Sequence, residues 1–111
     1  MTANTDADRL YHMSTCAKEA IGYVQNKTRG DLDFDRQLVH CLVRCLEIVG
    51  EAASKISAQL KNNNPQIPWE YIVGMRNRLI HAYFDINLDI VWRTVKKELP
   101  ELIKNIEKIS G

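Results

Sequence analysis

The chain has 111 residues, a length typical of one domain with a single hydrophobic core, and this leaves no room for a separate cofactor-binding lobe. We expect residues 1–111 to form one domain. Lysines and arginines number 15 against 14 acidic residues, so the net charge is +1 at pH 7. This balance excludes a broad basic surface that would hold nucleic acid non-specifically. A function that involves RNA would therefore depend on a local patch.

Hydrophobicity and cysteine content predict the compartment. No stretch approaches the roughly 20 apolar residues of a membrane span, and the first ten residues, MTANTDADRL, are too polar for a secretory signal. The sequence thus predicts a cytoplasmic protein with no membrane partner. The three cysteines, Cys16, Cys41 and Cys45, lie among core-type residues and cannot all pair within one chain, which favours reduced thiols.

A metal site is the alternative interpretation of these cysteines. His12 and Cys16 are four residues apart on one predicted helix, and Cys41 and Cys45 are four apart on the next, so antiparallel packing would bring four soft ligands together. However, Cys41 and Cys45 fall on an apolar stripe, where a free thiol behaves as a small apolar side chain. Structural zinc sites also usually draw on tight loop spacings. We therefore predict no metal and no cofactor.

Two helices are predicted in the first half of the chain. The first runs from Thr5 to about Asn26, because apolar residues recur there at three- and four-residue spacing behind Thr5 or Asp6 as an N-cap. The segment KTRGDLDFD then breaks the pattern with a glycine and several acids. One apolar stripe continues from roughly Asp33 to Leu60 and predicts a second, longer helix.

The second half is also predicted to be helical. The segment KNNNPQIP combines three asparagines with two prolines and predicts a loop. Pro68 is well placed to begin a third helix that reaches at least Ile80, after which HAYFDIN resembles a turn. Residues 88–97 and 100–110 are predicted as one bent helix or two short ones, broken at Pro100. In the absence of strand-length alternation, these counts predict an all-α antiparallel bundle of four or five helices.

Polar residues cluster in the segment MRNRLIHAYFD, residues 75–85, directly after an apolar run. An arginine offers a permanent charge and a planar set of donors matched to phosphate oxygens, and a histidine exchanges protons near neutral pH. Arg76 and His81 would together suit cleavage of an RNA phosphodiester, with the imidazole moving protons and the guanidinium stabilising the developing negative charge. Asn77 can orient the imidazole, and Tyr83 can contact phosphate or stack on a base.

The spacing of these residues sets conditions on such a site. Asn77 and Arg78 are four and three residues before His81, so both would share a helical face with it. Arg76 and His81 are five residues apart and would lie about 140° apart around a regular helix. They converge only if the helix loosens at His81, if Arg76 reaches around it, or if a second subunit supplies the partner group. A two-fold dimer that packs this helix against its copy is the arrangement that the sequence favours, because it would place two sets of Arg and His in one polar cleft.

Simpler explanations exist for the same residues. A run of Arg, Asn and Arg followed by one His is also typical of a solvated helical face with a histidine at the edge of the core. Glu51 lies one turn after Glu47 amid apolar neighbours, so it could be partly buried and paired with Arg76 or Arg44. The alternative is an exposed pair with Arg44 or Lys55 on the helix surface.

A family resemblance adds to this interpretation. The string RNRLIHAY resembles the signature of the HEPN superfamily of helical ribonucleases, and specifically its HepT-like toxin branch, in which Arg-x4-His is extended by a tyrosine two positions later. CLEIVGEAASKI (45–56) is similar to the second-helix segment of that branch. IPWEYIVGMRNRLIHAYFDIN (67–87) is similar to its motif helix with the entry before it, and VWRTVKKELPELI (91–103) to its closing helices. The resemblance covers nearly the whole chain.

The resemblance implies a homodimer whose motif helices meet across the interface and a metal-independent endonuclease that acts on RNA. It implies catalytic roles for Arg76 and His81, with Asn77 as the polar residue after the arginine. In this family the usual partner is a minimal nucleotidyltransferase antitoxin, which silences the toxin by adenylylating the motif tyrosine. Tyr83 would be the acceptor, and each adenylate would bring a phosphate into the cleft. Arg78 and Glu51 complete the set of supporting residues.

Two rival functions are consistent with the same residues. Such bundles also resemble the accessory domain of a nucleotidyltransferase, so the chain could be a non-catalytic module that binds nucleotide or the partner enzyme. In a purely structural dimer, a change at His81 would mainly lower thermal stability. RNA cleavage that depends on Arg76 and His81 distinguishes the ribonuclease from both.

Overall fold

Helices make up most of the chain in the computed structural model, which describes residues 5–82 and 85–110. This confirms the predicted all-α bundle. The helices are α1 (Asp6–Tyr23), α2 (Arg36–Ser54), α3 (Ala58–Asn63), α4 (Trp69–Val73), α5 (Met75–Leu79), α6 (Leu88–Arg93) and α7 (Leu99–Ser110), with a 3₁₀ turn at Arg29–Asp33 and a π-helical turn at Thr94–Glu98. Within those ranges, no helix combines the length and apolar character that crossing a bilayer requires.

Hydrogen bonds at the start of α1 fix both its end and its direction against α2. The Thr5 hydroxyl accepts from the Asp8 N–H at 3.2 Å, and the Asp8 carboxylate accepts from the Thr5 N–H at 3.0 Å, so Thr5 is the N-cap. The Ser57 hydroxyl, just beyond the end of α2, donates to the Asp6 carboxylate at 2.6 Å. The start of α1 thus meets the end of α2, and the two helices run antiparallel.

The prediction of one helix over residues 33–60 is wrong, because the structure divides it into α2 and α3. The Ser57 hydroxyl accepts from the Leu60 N–H at 3.2 Å and caps α3. Serine side chains that bond the backbone in this way compete with a continuing helix. Ile56, within the break, is still buried, so the apolar pattern runs across the break and hides it.

The predicted third helix is also divided, into α4 and α5, which meet at Gly74. It ends at Leu79, one residue before the predicted limit. At Ile80 the backbone becomes extended, with φ −121° and ψ 114°. Strand β1 (Ile80–Ala82) then pairs antiparallel with β2 (Asp85–Ile86), with Ile80 opposite Ile86. The sequence predicts only a turn here, since strands of three and two residues are too short to give a detectable alternation.

The closing segment is helical without interruption from Leu88 to Ser110, as one helix instead of two short ones, and its irregularity does not lie at Pro100. The chain passes from α6 through the π-helical turn into α7, and Pro100 lies just inside α7. Proline has no N–H, and its ring clashes with the carbonyl four residues earlier, here that of Lys96. The wider π-helical turn lies directly where this clash would occur.

Apolar side chains from all the longer helices meet in one core. The largest fully buried side chains are Met13, Leu42, Leu46, Ile67, Leu79, Leu99, Val24, Val49, Val91 and Val95. Gly50 of α2 permits a close approach of α4, because a Cβ atom at this position would lie 3.0 Å from the Ile72 carbonyl oxygen. Helix α4, directly before the RNRLIHAY string, is therefore held against α2.

Candidate active site

Helix α5 presents two of its polar residues on the surface because its apolar residues are anchored below. Met75 and Leu79 are buried, one turn apart, on the side that faces the core. Arg76 and Asn77, between them, are exposed. The polar residues of the motif helix are therefore accessible to a ligand.

Arg76 is held by an ion pair to Glu47 of α2. Its Nε atom donates to Glu47 Oε2 at 2.8 Å, while its side chain is 65% exposed and that of Glu47 is 25% exposed. Within residues 5–82 and 85–110, the Arg76 Nη groups have no hydrogen-bond partner. Glu47 thus fixes the direction of the guanidinium through Nε and leaves the Nη donors for a phosphate.

Of the two interpretations left open for Glu51, the structure supports an exposed pair with Lys55 and contradicts a partly buried partner of Arg76 or Arg44. The Glu51 carboxylate pairs with Lys55 Nζ at 3.6 Å, and its side chain is 71% exposed. Glu47, one turn earlier on α2, takes Arg76 instead. The two glutamates lie on the same face of α2, so the sequence cannot distinguish them without the crossing position of α5.

Arg76 lies where two shallow grooves meet. The larger, of about 390 Å³, runs between α1 and α2, and we call it the basic groove; its polar lining is Arg9, His12, Arg44, Glu47, Glu51 and Arg76. The smaller, of about 240 Å³, includes Val73 and Asn77 together with Glu47 and Arg76. Arg9 and His12 of α1 therefore join the surroundings of Arg76. No signal in the sequence associates them with the motif, since they lie more than 60 positions away along the chain.

His81 lies in extended backbone and is exposed to solvent. Helix α5 ends at Leu79, before His81. The loss of helix at His81 is the first of the three conditions under which Arg76 and His81 were predicted to converge. The prediction that Asn77 and Arg78 share a helical face with His81 is wrong for the same reason. His81 is not among the described residues that line the two grooves, so within one protomer the structure does not bring the histidine into the grooves that Arg76 borders.

Arg78 has a different environment from Arg76. Its guanidinium carbon lies 3.6 Å from the centroid of the Tyr71 ring, a cation–π contact. The Tyr71 hydroxyl donates in turn to Glu98 Oε2 at 3.0 Å. Arg78 thus ties α5 to α4 and, through Tyr71, to the π-helical turn. The structure does not bring Arg78 together with Arg76, and Tyr83 lies outside the described residues.

The cysteines lie between α1 and α2. Cys45 is buried, with its Sγ 3.9 Å from Glu19 Oε1, and Cys16 and Cys41 are half-buried. Burial, and then the neighbouring Cys16 and Glu19, raises the pKa of the Cys45 thiol to about 11, so it stays protonated near neutral pH. In the part of the chain that the structure describes, no three His, Cys, Asp or Glu side chains are grouped to hold a metal ion.

Comparison of the sequence with known proteins identifies its family. The family model described as "Ribonuclease HepT-like" matches residues 13–109. A protein of Methanocaldococcus jannaschii named "Putative RNase MJ1216" is 36% identical over 100 residues, which cover 90% of this chain and 83% of that protein. "Probable ribonuclease HepT" of Thermococcus cleftensis is 38% identical over 95 residues, 82% of this chain and 86% of that protein. No solved structure matches the chain significantly.

The chain therefore belongs to the HepT-like ribonuclease family, within the HEPN superfamily. The resemblance inferred from RNRLIHAY is confirmed, and the chain is an enzyme of the ribonuclease class. The match begins inside α1 and ends inside α7, so it includes both Arg76 and His81.

Proposed function

We propose that this protein is the toxin of a type II toxin–antitoxin pair and a metal-independent RNA endonuclease, with Arg76 and His81 as its catalytic residues. The observation that carries the proposal is the exposure of both side chains, together with the orientation of Arg76 by Glu47. An arginine held by one nitrogen, with its other donors accessible, is pre-organised for a phosphate. A residue that served only packing would be buried.

The proposed reaction is internal transesterification. The ribose 2′-oxygen forms a bond to phosphorus, the bond between phosphorus and the 5′-oxygen breaks, and a 2′,3′-cyclic phosphate results. His81 takes the 2′-hydroxyl proton or gives a proton to the departing 5′-oxygen. The Arg76 guanidinium stabilises the negative charge that grows on the non-bridging phosphate oxygens. The proton released and the proton consumed balance, and no metal is required.

A homodimer completes the proposed site. Because His81 does not line either groove beside Arg76, we place a two-fold axis near α5 and β1, where Arg76 of one protomer would approach His81 of the partner subunit. The exposed Val73 supports this, because it is an apolar side chain on the surface that lines the smaller groove together with Arg76. The dimer would thus hold two equivalent sites in one cleft.

The proposed regulation is adenylylation of Tyr83 by a minimal nucleotidyltransferase antitoxin. The tyrosine is two residues after His81 in the sequence. An adenylyl group attached to its hydroxyl would add negative charge and bulk next to the catalytic residues. Arg76 would then pair with the attached phosphate instead of the substrate phosphate. The modified protein would no longer cleave RNA.

Incubation of the purified protein with mixed cellular RNA in the presence of a chelator tests the proposal. We expect fragments with cyclic phosphate ends from the unmodified protein, and none from Arg76→Ala or His81→Ala. Lys104→Ala, on the exposed face of α7, is the matched control and should cleave normally. Intact RNA with the unmodified protein, or cleavage that persists in both variants, would contradict the proposal.

A further inference from the structure

The basic groove is lined by more basic than acidic side chains, with three arginines against two glutamates. Both of its carboxylates already have a cation, since Glu47 pairs with Arg76 and Glu51 with Lys55. Within residues 5–82 and 85–110, neither Arg9 nor Arg44 forms an ion pair. The groove therefore has an excess of positive charge in a protein whose net charge is only +1.

Arg9 is also incompletely satisfied. Its Nε atom is buried and, among the described residues, has no hydrogen-bond partner. A buried donor without a partner costs free energy, and no described acceptor holds the Arg9 guanidinium through this atom. Arg44 lies across the groove on α2 and is exposed. The two guanidinium groups therefore border the same groove as Arg76, from the side of α1 and α2.

An aromatic pair lies beside these charges. Tyr11 is 69% exposed, an unusual position for a large aromatic side chain, and its ring is 6.2 Å from that of His12 in an edge-on arrangement. His12 lines the basic groove. Exposed aromatic rings beside arginines suit a single-stranded nucleic acid, because its unpaired bases can stack while its phosphates pair with the guanidinium groups.

We propose that the basic groove is an RNA-binding subsite that holds the single strand next to the cleaved phosphodiester. Arg9 and Arg44 bind backbone phosphates, and Tyr11 stacks on a base. This inference rests on the proposed ribonuclease function and adds substrate-binding residues outside the RNRLIHAY string. Arg9 and Arg44 act in binding, not in the chemical step, so their loss should raise KM and leave kcat unchanged.

The test measures RNA binding without turnover. The probe is a fluorescent single-stranded RNA of 12 nucleotides, and all variants carry His81→Ala so that the RNA stays intact. Arg9→Gln combined with Arg44→Gln removes both charges but keeps part of each side-chain stem, which preserves packing. Lys104→Ala combined with Lys108→Ala is the matched control, because it removes two charges from the exposed face of α7. Thermal unfolding of each variant checks the fold.

The salt dependence of the affinity gives the expected result. Each phosphate contact with a single strand contributes about 0.7 to the slope of log K against log salt concentration, so the groove variant should lose about 1.4 from that slope. The ratio of its dissociation constant to that of the parent His81→Ala protein should then fall roughly sevenfold between about 50 and 200 mM salt. The α7 control should keep the original slope. Tyr11→Ala should weaken binding of the single strand and leave the slope unchanged.

Two results would overturn the inference. One is an unchanged slope in the folded groove variant, and the other is an equal loss of slope in the α7 control. In either case, cleavage by the protein with His81 intact would leave the proposed function standing. If the parent His81→Ala protein bound no RNA and the protein with His81 intact cleaved none, the proposed function itself would fall and the inference with it.

Discussion

Arg76 and Arg78 lie two residues apart on the same short helix and have opposite surroundings. Arg76 is 65% exposed, and Glu47 holds it at the meeting point of two grooves. Arg78 is half-buried over the Tyr71 ring and helps to tie α5 to the π-helical turn. Two residues correspond to about 200° around a helix, so these arginines meet different neighbours. The surroundings of each arginine therefore depend on the helix that packs against it, α2 for Arg76 and α4 for Arg78, and not on its residue type.

Exchanging the two arginines for alanine should separate these roles most strongly. Arg76→Ala should lower kcat for RNA cleavage by roughly 100- to 1,000-fold, the usual cost of losing a donor to a developing oxyanion. Its free energy of unfolding should change by less than about 0.5 kcal/mol, because the side chain is largely exposed. Single-turnover cleavage and chemical denaturation measure the two effects. A large loss of stability would instead assign Arg76 to packing.

The Glu47 ion pair should be nearly as important for activity. Glu47→Ala should lower kcat by roughly 10- to 100-fold, because a catalytic group that is misplaced by about 1 Å loses up to that much. Glu47→Gln keeps an oxygen that accepts from Arg76 Nε and should recover part of the loss. Glu51→Ala, one turn away on α2, is the matched control and should keep the normal kcat, because Glu51 pairs with Lys55 and not with Arg76. An equal fall in kcat for Glu47→Ala and Glu51→Ala would contradict a positioning role for Glu47.

The close packing under the motif segment predicts a stability effect. Gly50→Ala would place a Cβ atom 3.0 Å from the Ile72 carbonyl oxygen and should destabilise the fold by about 1–3 kcal/mol. Gly22→Ala, also within a helix, meets no atom within 4 Å and should be neutral or stabilising by up to about 1 kcal/mol. Urea unfolding of the two variants makes the comparison. If Gly50→Ala were as stable as Gly22→Ala, α4 would not be held tightly on α2.

Arg78 should give the smallest effect. Arg78→Ala removes a cation–π contact and should lower the free energy of unfolding by about 1–2 kcal/mol. Its kcat, measured under conditions where the protein remains folded, should stay within about threefold of normal, because Arg78 stacks on Tyr71 and, among the described residues, forms no hydrogen bond or ion pair with Arg76 or Glu47. Arg78→Lys should restore part of the stability. A loss of kcat comparable to that of Arg76→Ala would show that both arginines serve the chemical step.

Much of the fold could be predicted from the sequence, because apolar periodicity and caps are local signals. The N-cap at Thr5 and the apolar stripe of α2 are examples. The break after α2 was missed because the buried Ile56 continues the apolar stripe across it, and because the bond from Ser57 to Asp6 is a tertiary contact. The β1–β2 pair was missed because its strands are very short.

The site was predicted in part, for the same reason. Arg76, Asn77 and His81 could be found because their types and spacing suggest a chemistry within one segment. Glu47 could not be chosen over Glu51, because the choice depends on where α5 crosses α2. Arg9 and Arg44 could not be found at all, since only the packing of α1 on α2 brings them beside Arg76. The sequence motif thus identifies candidate reacting groups within one segment, but not the residues that the tertiary packing brings beside them.

The most direct test of the central claim mixes two inactive proteins. Arg76→Ala and His81→Ala protomers are combined, allowed to exchange subunits, and assayed for RNA cleavage. If Arg76 of one protomer acts with His81 of the partner subunit, each mixed dimer holds one intact site, and the mixture should recover roughly a quarter of normal activity. Mixed dimers that form, as verified by affinity tags, but cleave no RNA would contradict the shared site.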